Sequence, residues 1–144
     1  MNTMKRFSKI TALAFVLVTV ISMVFAGAAW ASVADQINAW NANILGNALT
    51  VDTSVSGKIT VTGTVTGVTQ GLEITDNDTV DIIWKAVVEG ENVDRLIFLD
   101  NNPGSPSGRK DFIVESGGKI TGGHEALLTL SGFNIIVKNG GLVK

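Results

Sequence analysis

The chain has 144 residues, with 13 acidic side chains, 11 basic ones, a single histidine and no cysteine or tyrosine. Disulfides and lipid attachment at an N-terminal cysteine are therefore excluded, and acid–base or nucleophilic catalysis is poorly supplied. The net charge of −2 lacks the basic excess that nucleic-acid binding requires.

Lys5, Arg6 and Lys9 precede an apolar stretch, Ile10 to Ala29, that carries no charge. Ala29-Trp30-Ala31 then has the small-x-small form that a signal peptidase cuts. The pattern predicts a secretory signal peptide over residues 1–31. A permanent anchor is the alternative, because the stretch approaches the ~20 residues needed to span a bilayer. The expected mature chain, 32–144, has 113 residues, which suits one domain. It keeps 8 basic residues against all 13 acidic ones, a net of −5. That balance argues against nucleic acid and against attraction to anionic lipid, so no membrane contact is expected once the signal is gone.

Residues 32–46 read as a helix. Val33, Ile37, Trp40 and Ile44 recur at spacings of four, three and four, which makes one apolar stripe. Ser32 is placed as N-cap, with Asp35 supplying the acidic half of a capping box. Gly46 is placed to end the helix in a left-handed conformation. A lone helix with an apolar face has to cover something, and the β structure that follows is the candidate.

After Gly46 the chain breaks into short runs rich in Val, Ile, Leu and Thr, bounded by Gly, Asn, Asp and Ser. The expected strands are 48–52, 58–62, 72–75, 80–88, 95–99, 111–115, 126–130 and 134–138. Hairpin signals are sparse apart from Asn139-Gly140, and no helical crossover is visible, although parallel strands need a long connection. A solenoid meets that need by carrying the chain once round its perimeter. Gly57-Lys58-Ile59-Thr60 returns as Gly118-Lys119-Ile120-Thr121, 61 positions later. This interval divides into three coils of about 20 residues, within solenoid repeat lengths. Residues 47–144 are therefore expected to form an all-β, short right-handed parallel β-helix of about four to five coils. Ile59 and Val61 should point inward, Leu72 and Ile74 should repeat them one coil on, and Phe112 and Val114 should do so later.

The run from Asn41 to Val51, the segment Gly57–Gly63, Ile83-Trp84-Lys85-Ala86 and Val114–Thr121 together carry a resemblance. The chain resembles the right-handed parallel β-helix repeats, of pectin-lyase-like type, found in large exported bacterial surface proteins. The resemblance implies that the amphipathic helix plugs the N-terminal end of the β-helix. Typical members are much longer. The chain stops at Val143-Lys144 without an obvious C-terminal cap, so it reads as a truncated relative or as one whose last coil pairs with another molecule.

Candidate chemistry is thin. Asp76, Asp78 and Asp81 cluster round Asn77 and read first as a solvated turn, in which Asp and Asn bond their own backbone; they are also candidate calcium ligands, because hard cations favour carboxylate oxygens. Trp84 is the aromatic placed to stack on a sugar, against a packing role in an apolar strand. Residues 100–111 hold both prolines and form the most irregular stretch, with Arg109 and Lys110 as candidate contacts for an anionic ligand. His124 follows Gly122-Gly123 and reads as an exposed loop residue. Thr60-Val61-Thr62 and Thr64-Val65-Thr66 hint at an ice-binding threonine array, but later segments do not sustain it and β-propensity explains the run.

Three functions compete. The leading expectation is an exported, non-catalytic protein serving surface display, adhesion or polysaccharide contact, with no cofactor. The second is a small polysaccharide lyase or hydrolase, which needs two or three of Asp76, Asp78, Asp81, Asp94, Asp100 and Asp111 in one groove with Arg95 or Arg109. The third is a self-assembling module joined through the apolar segments 126–130 and 134–137 of the C-terminal coil.

Overall fold

The computed structural model describes residues 32–76, 80–101, 110–130 and 132–144. The expected signal peptide lies outside them. The chain divides into two compact units, Met1–Trp30 and Ala31–Lys144, and the described residues belong to the second. Among the described residues, no helix is long and apolar enough to cross a membrane.

Helix α1 spans Val33–Ile44 and starts as its sequence dictates. The Ser32 side chain accepts from the Asp35 amide at 3.2 Å, and the Asp35 carboxylate accepts from the Ser32 amide at 3.2 Å, which closes the capping box. Val33, Ile37 and Trp40 are buried, and Ile44 packs partly buried against the same core. Gly46 adopts φ +61° and Asn47 follows at φ +64°, so the chain leaves the helix through two left-handed residues.

Eleven strands follow among the described residues: β1 Leu49–Asp52, β2 Lys58–Val68, β3 Leu72–Asp76, β4 Asp81–Trp84, β5 Val87–Gly90, β6 Arg95–Asn101, β7 Lys110–Val114, β8 Lys119–Thr121, β9 Glu125–Thr129, β10 Phe133–Val137 and β11 Leu142–Val143. Among the described residues the fold is all-β and mainly parallel, with one short helix. Three parallel ladders organise it. The first half of β2 pairs with β4, β4 with β7, and β7 with β10. The second half of β2 pairs with β5, β5 with β8, and β8 with β11. The third ladder is β3, β6 and β9. β2 serves two ladders because Gly63, at φ +118°, bends it between its two pairing halves.

The ladders stack like residues in columns. Ile59, Ile82 and Phe112 are in register and buried, as are Val61, Trp84 and Val114. Val88 and Ile120 form a further column, and Leu72 with Ile97 another. Each fully buried aliphatic or aromatic side chain contributes roughly 1.5–3 kcal/mol of transfer free energy, and a column makes the same face apolar in successive strands. Trp84 and Phe112 stack at 5.7 Å between ring centroids, with their planes 27° apart.

Several expectations need correcting. The register separates successive strands of the first ladder by 23 residues (Lys58 to Asp81), 30 (Ile82 to Phe112) and 23 (Asp111 to Asn134), not by about 20. In the second ladder Val87 aligns with Lys119, 32 residues on. The two copies of Gly-Lys-Ile-Thr therefore do not mark equivalent places. Ile59 belongs to the first ladder, whereas Ile120 aligns with Val88 in the second. Leu72 and Ile74 do not stack on Ile59 and Val61 but open the third ladder. The expected strand 80–88 is two strands, broken at Lys85-Ala86, where the backbone passes between ladders. Lys85 N donates to Val61 O at 2.9 Å, and Ala86 O accepts from Lys119 N at 2.9 Å. Strands β8 and β11 were not expected, and β1 pairs antiparallel with β2, unlike the other strand pairs described.

Candidate functional site

The aspartates of the candidate calcium site divide between ladders. Asp76 ends β3 and aligns with Asn101, Asp81 opens β4 in register with Lys58, and Asp78 lies outside the described residues. Asp81 is half-buried, and its carboxylate accepts from the Asp111 amide at 3.2 Å. Asp111 in turn accepts from the Asn134 side-chain amide at 2.9 Å. Among the described residues, no three His, Cys, Asp or Glu side chains stand close enough to hold a metal ion.

Trp84 is fully buried on Phe112, so its ring presents no face to a sugar in solvent. Apolar neighbours in the column on both sides draw the indole inward. Lys110 is also a correction. It is 1% exposed rather than displayed on a loop, because it opens β7. Its amide donates to Gly132 O at 3.1 Å, and its ammonium lies 5.6 Å from the Phe133 ring centroid. A group so enclosed cannot meet an anion in solution. Arg109 lies outside the described residues.

The described carboxylates of the enzymatic reading are spread. Asp81 and Asp111 occupy neighbouring strands of the first ladder, Asp100 sits in the third, and Asp94 lies in the turn before β6. Arg95 faces Glu125 at 3.6 Å and lies 4.9 Å over the Phe98 ring, away from the Asp81–Asp111 pair in sequence register. His124 is exposed in the turn before β9, with its amide donating to Val93 O at 3.1 Å.

Two carboxylates are displaced from their ordinary range. A hydrogen bond from Lys138, 2.7 Å away, holds the Glu115 carboxyl below the usual glutamate value, against the opposing effect of desolvation. The Ser54 amide, donating at 2.8 Å, and then the Ser54 hydroxyl do the same for Asp52.

Sequence reasoning missed the turns that precede the third ladder. A cavity of about 460 Å³ opens between Thr69, Gln70, Gly71, Asn92, Asp94 and Arg95. A second, of about 320 Å³, lies beside it along α1, where Trp40 and Ile44 face Gln70 and Gly71. A third, of about 220 Å³, joins Asn92 and Val93 to Gly123 and His124. Glycine at these turns was visible in the sequence, but nothing local says that successive turns lie side by side. No family model, curated protein or solved structure matches the chain.

Proposed function

We propose that residues 47–144 wind as a right-handed parallel β-helix of the pectin-lyase-like kind, and that the protein is exported and acts without catalysis, in surface display, adhesion or polysaccharide contact. One observation carries this reading: three parallel ladders in which β4, β5 and β6 hand on to β7, β8 and β9, and the first two of these to β10 and β11. Revisiting three ladders in fixed order is what a chain completing laps would give, and right-handed connection is the rule for parallel strands. The α1 side chains support a plug at the first lap. Gln36 donates to Thr75 O at 2.8 Å and accepts from Thr75 N at 2.9 Å, so one amide occupies strand-edge groups of β3. The basic start, apolar run and Ala29-Trp30-Ala31 support export.

Expression of the full gene in a bacterial host, followed by fractionation and N-terminal sequencing, tests the export. The expected product starts at Ser32 and leaves the cytoplasm. A cytoplasmic product that retains Met1 overturns it.

A second reading, self-assembly, is favoured by a different observation. Ile135, Ile136 and Val137 of β10 and Leu142 of β11 are exposed, and these strands have one ladder edge with no described partner. Neither strand contains a charge that would oppose pairing with a second copy. Sedimentation should then show dimers that dissociate on dilution. A monomer at high concentration removes this reading.

A further inference from the structure

We propose that the three adjoining cavities form one open groove that takes a neutral, extended β-1,4-linked oligosaccharide. The proposal rests on the polysaccharide-contact form of the function given above, and it names the place and the ligand class.

The groove is continuous because its parts share walls. The cavity along α1 shares Gln70 and Gly71 with the middle one, and the middle one shares Asn92 and Val93 with the third. Its floor is made by three turns, 69–71, 91–94 and 122–124, which precede β3, β6 and β9. Those strands are paired in parallel at about 4.8 Å, which sets Gly71 against Arg95 and Gly123 against Val93. The floor is also fixed. Trp40 Nε1 donates to Gln70 O at 2.9 Å, and Asp94 O accepts from Glu125 N at 2.9 Å. A Cβ on Gly71 would collide with Arg95 O, and one on Gly123 would meet Val93 O at 2.6 Å, so backbone lies against backbone there. A ligand would bind without first ordering this surface.

The chemistry of the walls selects the ligand. Gln70 and Asn92 bring side-chain amides, Thr69 a hydroxyl and Asp94 a carboxylate, all in exposed turns. Such groups both donate to and accept from sugar hydroxyls. Ala39, exposed, and Ile44, partly buried, give one end an apolar wall, as sugar C–H faces require. Charge excludes acidic polymers. Glu73 and Asp94 line the groove, while its cation, Arg95, already faces Glu125 at 3.6 Å. A polyuronate or a phosphate chain would meet an excess of negative charge. Length discriminates against peptide. An extended peptide advances about 3.3 Å per residue and falls out of step with strands about 4.8 Å apart. A β-1,4-linked pyranose advances by nearly the strand spacing, so successive rings meet successive turns.

Calorimetry with cellohexaose and with a galacturonate hexamer tests this, alongside NMR of the labelled protein. Cellohexaose should bind, should shift the amides of Gln70, Asn92 and His124, and should bind more tightly than the uronate. Thr69→Trp, which fills the middle of the groove, and Asp94→Ala should each weaken binding about tenfold or more, with unfolding midpoints close to the parent's. Absence of cellohexaose binding, preference for the uronate, or variants that bind like the parent would each overturn the groove. If the protein is retained on another polysaccharide with both variants unaffected, the groove fails and the proposed function stands. If cellohexaose binds in the groove but the protein is never exported, the reverse holds.

Discussion

Trp84 has the largest fully buried side chain in the first ladder, and its indole Nε1 finds no acceptor there. Truncation and donor removal should therefore separate. Trp84→Ala should lower stability by about 3–5 kcal/mol through lost packing, whereas Trp84→Phe should cost far less, because it also removes an uncompensated buried donor. Chemical denaturation measures both, and equal losses would contradict the packing described. Neighbouring glycines differ in the same instructive way. Gly117 adopts φ +86° with open space where a Cβ would stand, so Gly117→Ala should cost only conformational strain, about 1 kcal/mol. A Cβ on Gly118 would lie 2.5 Å from Trp84 O, so Gly118→Ala must push two strands apart and should be the more damaging. The repeated Gly-Lys-Ile-Thr conceals this. Gly57 supplies a left-handed turn, while Gly118, its sequence counterpart, supplies close approach. Identical letters answered different physical demands, which is why the repeat misplaced the ladders. Glu115 provides the pH signature. Its folded value is lowered chiefly by the Lys138 hydrogen bond, so that contribution is complete above the ordinary glutamate value and disappears as pH falls through the lowered one. An NMR titration should show the low midpoint in the parent and an ordinary one in Lys138→Met.

At the level of elements, the helix was legible because its information is local. The apolar stripe, the capping box and Gly46 all lie within one stretch of chain, and all three appear as read. What the helix holds was not legible. Asn41 is 5% exposed, donates to Leu49 O at 2.8 Å and accepts from Leu49 N at 2.9 Å, so it pairs the helix to β1 as a strand would. Gln36 reaches Thr75, 39 positions away. A polar residue beside an apolar stripe carries no sign of so distant a partner. Asn41→Ala should cost about 1–3 kcal/mol in thermal or chemical unfolding, because it strands buried backbone groups. A cost near zero would mean that water replaces the amide and that the link is incidental. The corner at Lys85-Ala86 was illegible for another reason. It contains neither glycine nor proline, and Ala86 is fully buried, so tertiary contacts rather than turn residues end β4. The candidate site was less legible than the fold. Residue type left Trp84 between a sugar platform and packing and put Lys110 on a loop, and both are buried in their strands. The groove proposed instead is assembled from turns far apart in sequence.

Across residues 49–144 the account depends on register: outward-facing Thr60, Ile83, Ile113 and Ile136 stand side by side in the first ladder. The absence of natural cysteine allows a direct measurement by disulfide cross-linking of paired cysteine variants. Parallel neighbours about 4.8 Å apart fall inside the Cα range of a disulfide, whereas residues two strands apart, at about twice that distance, do not. Ile83→Cys combined with Ile113→Cys should cross-link readily under mild oxidation of the folded protein, and Ile83→Cys combined with Ile136→Cys should stay reduced. Failure of the first pair, or equal cross-linking of the second, would contradict the parallel winding on which the proposed function and groove both depend.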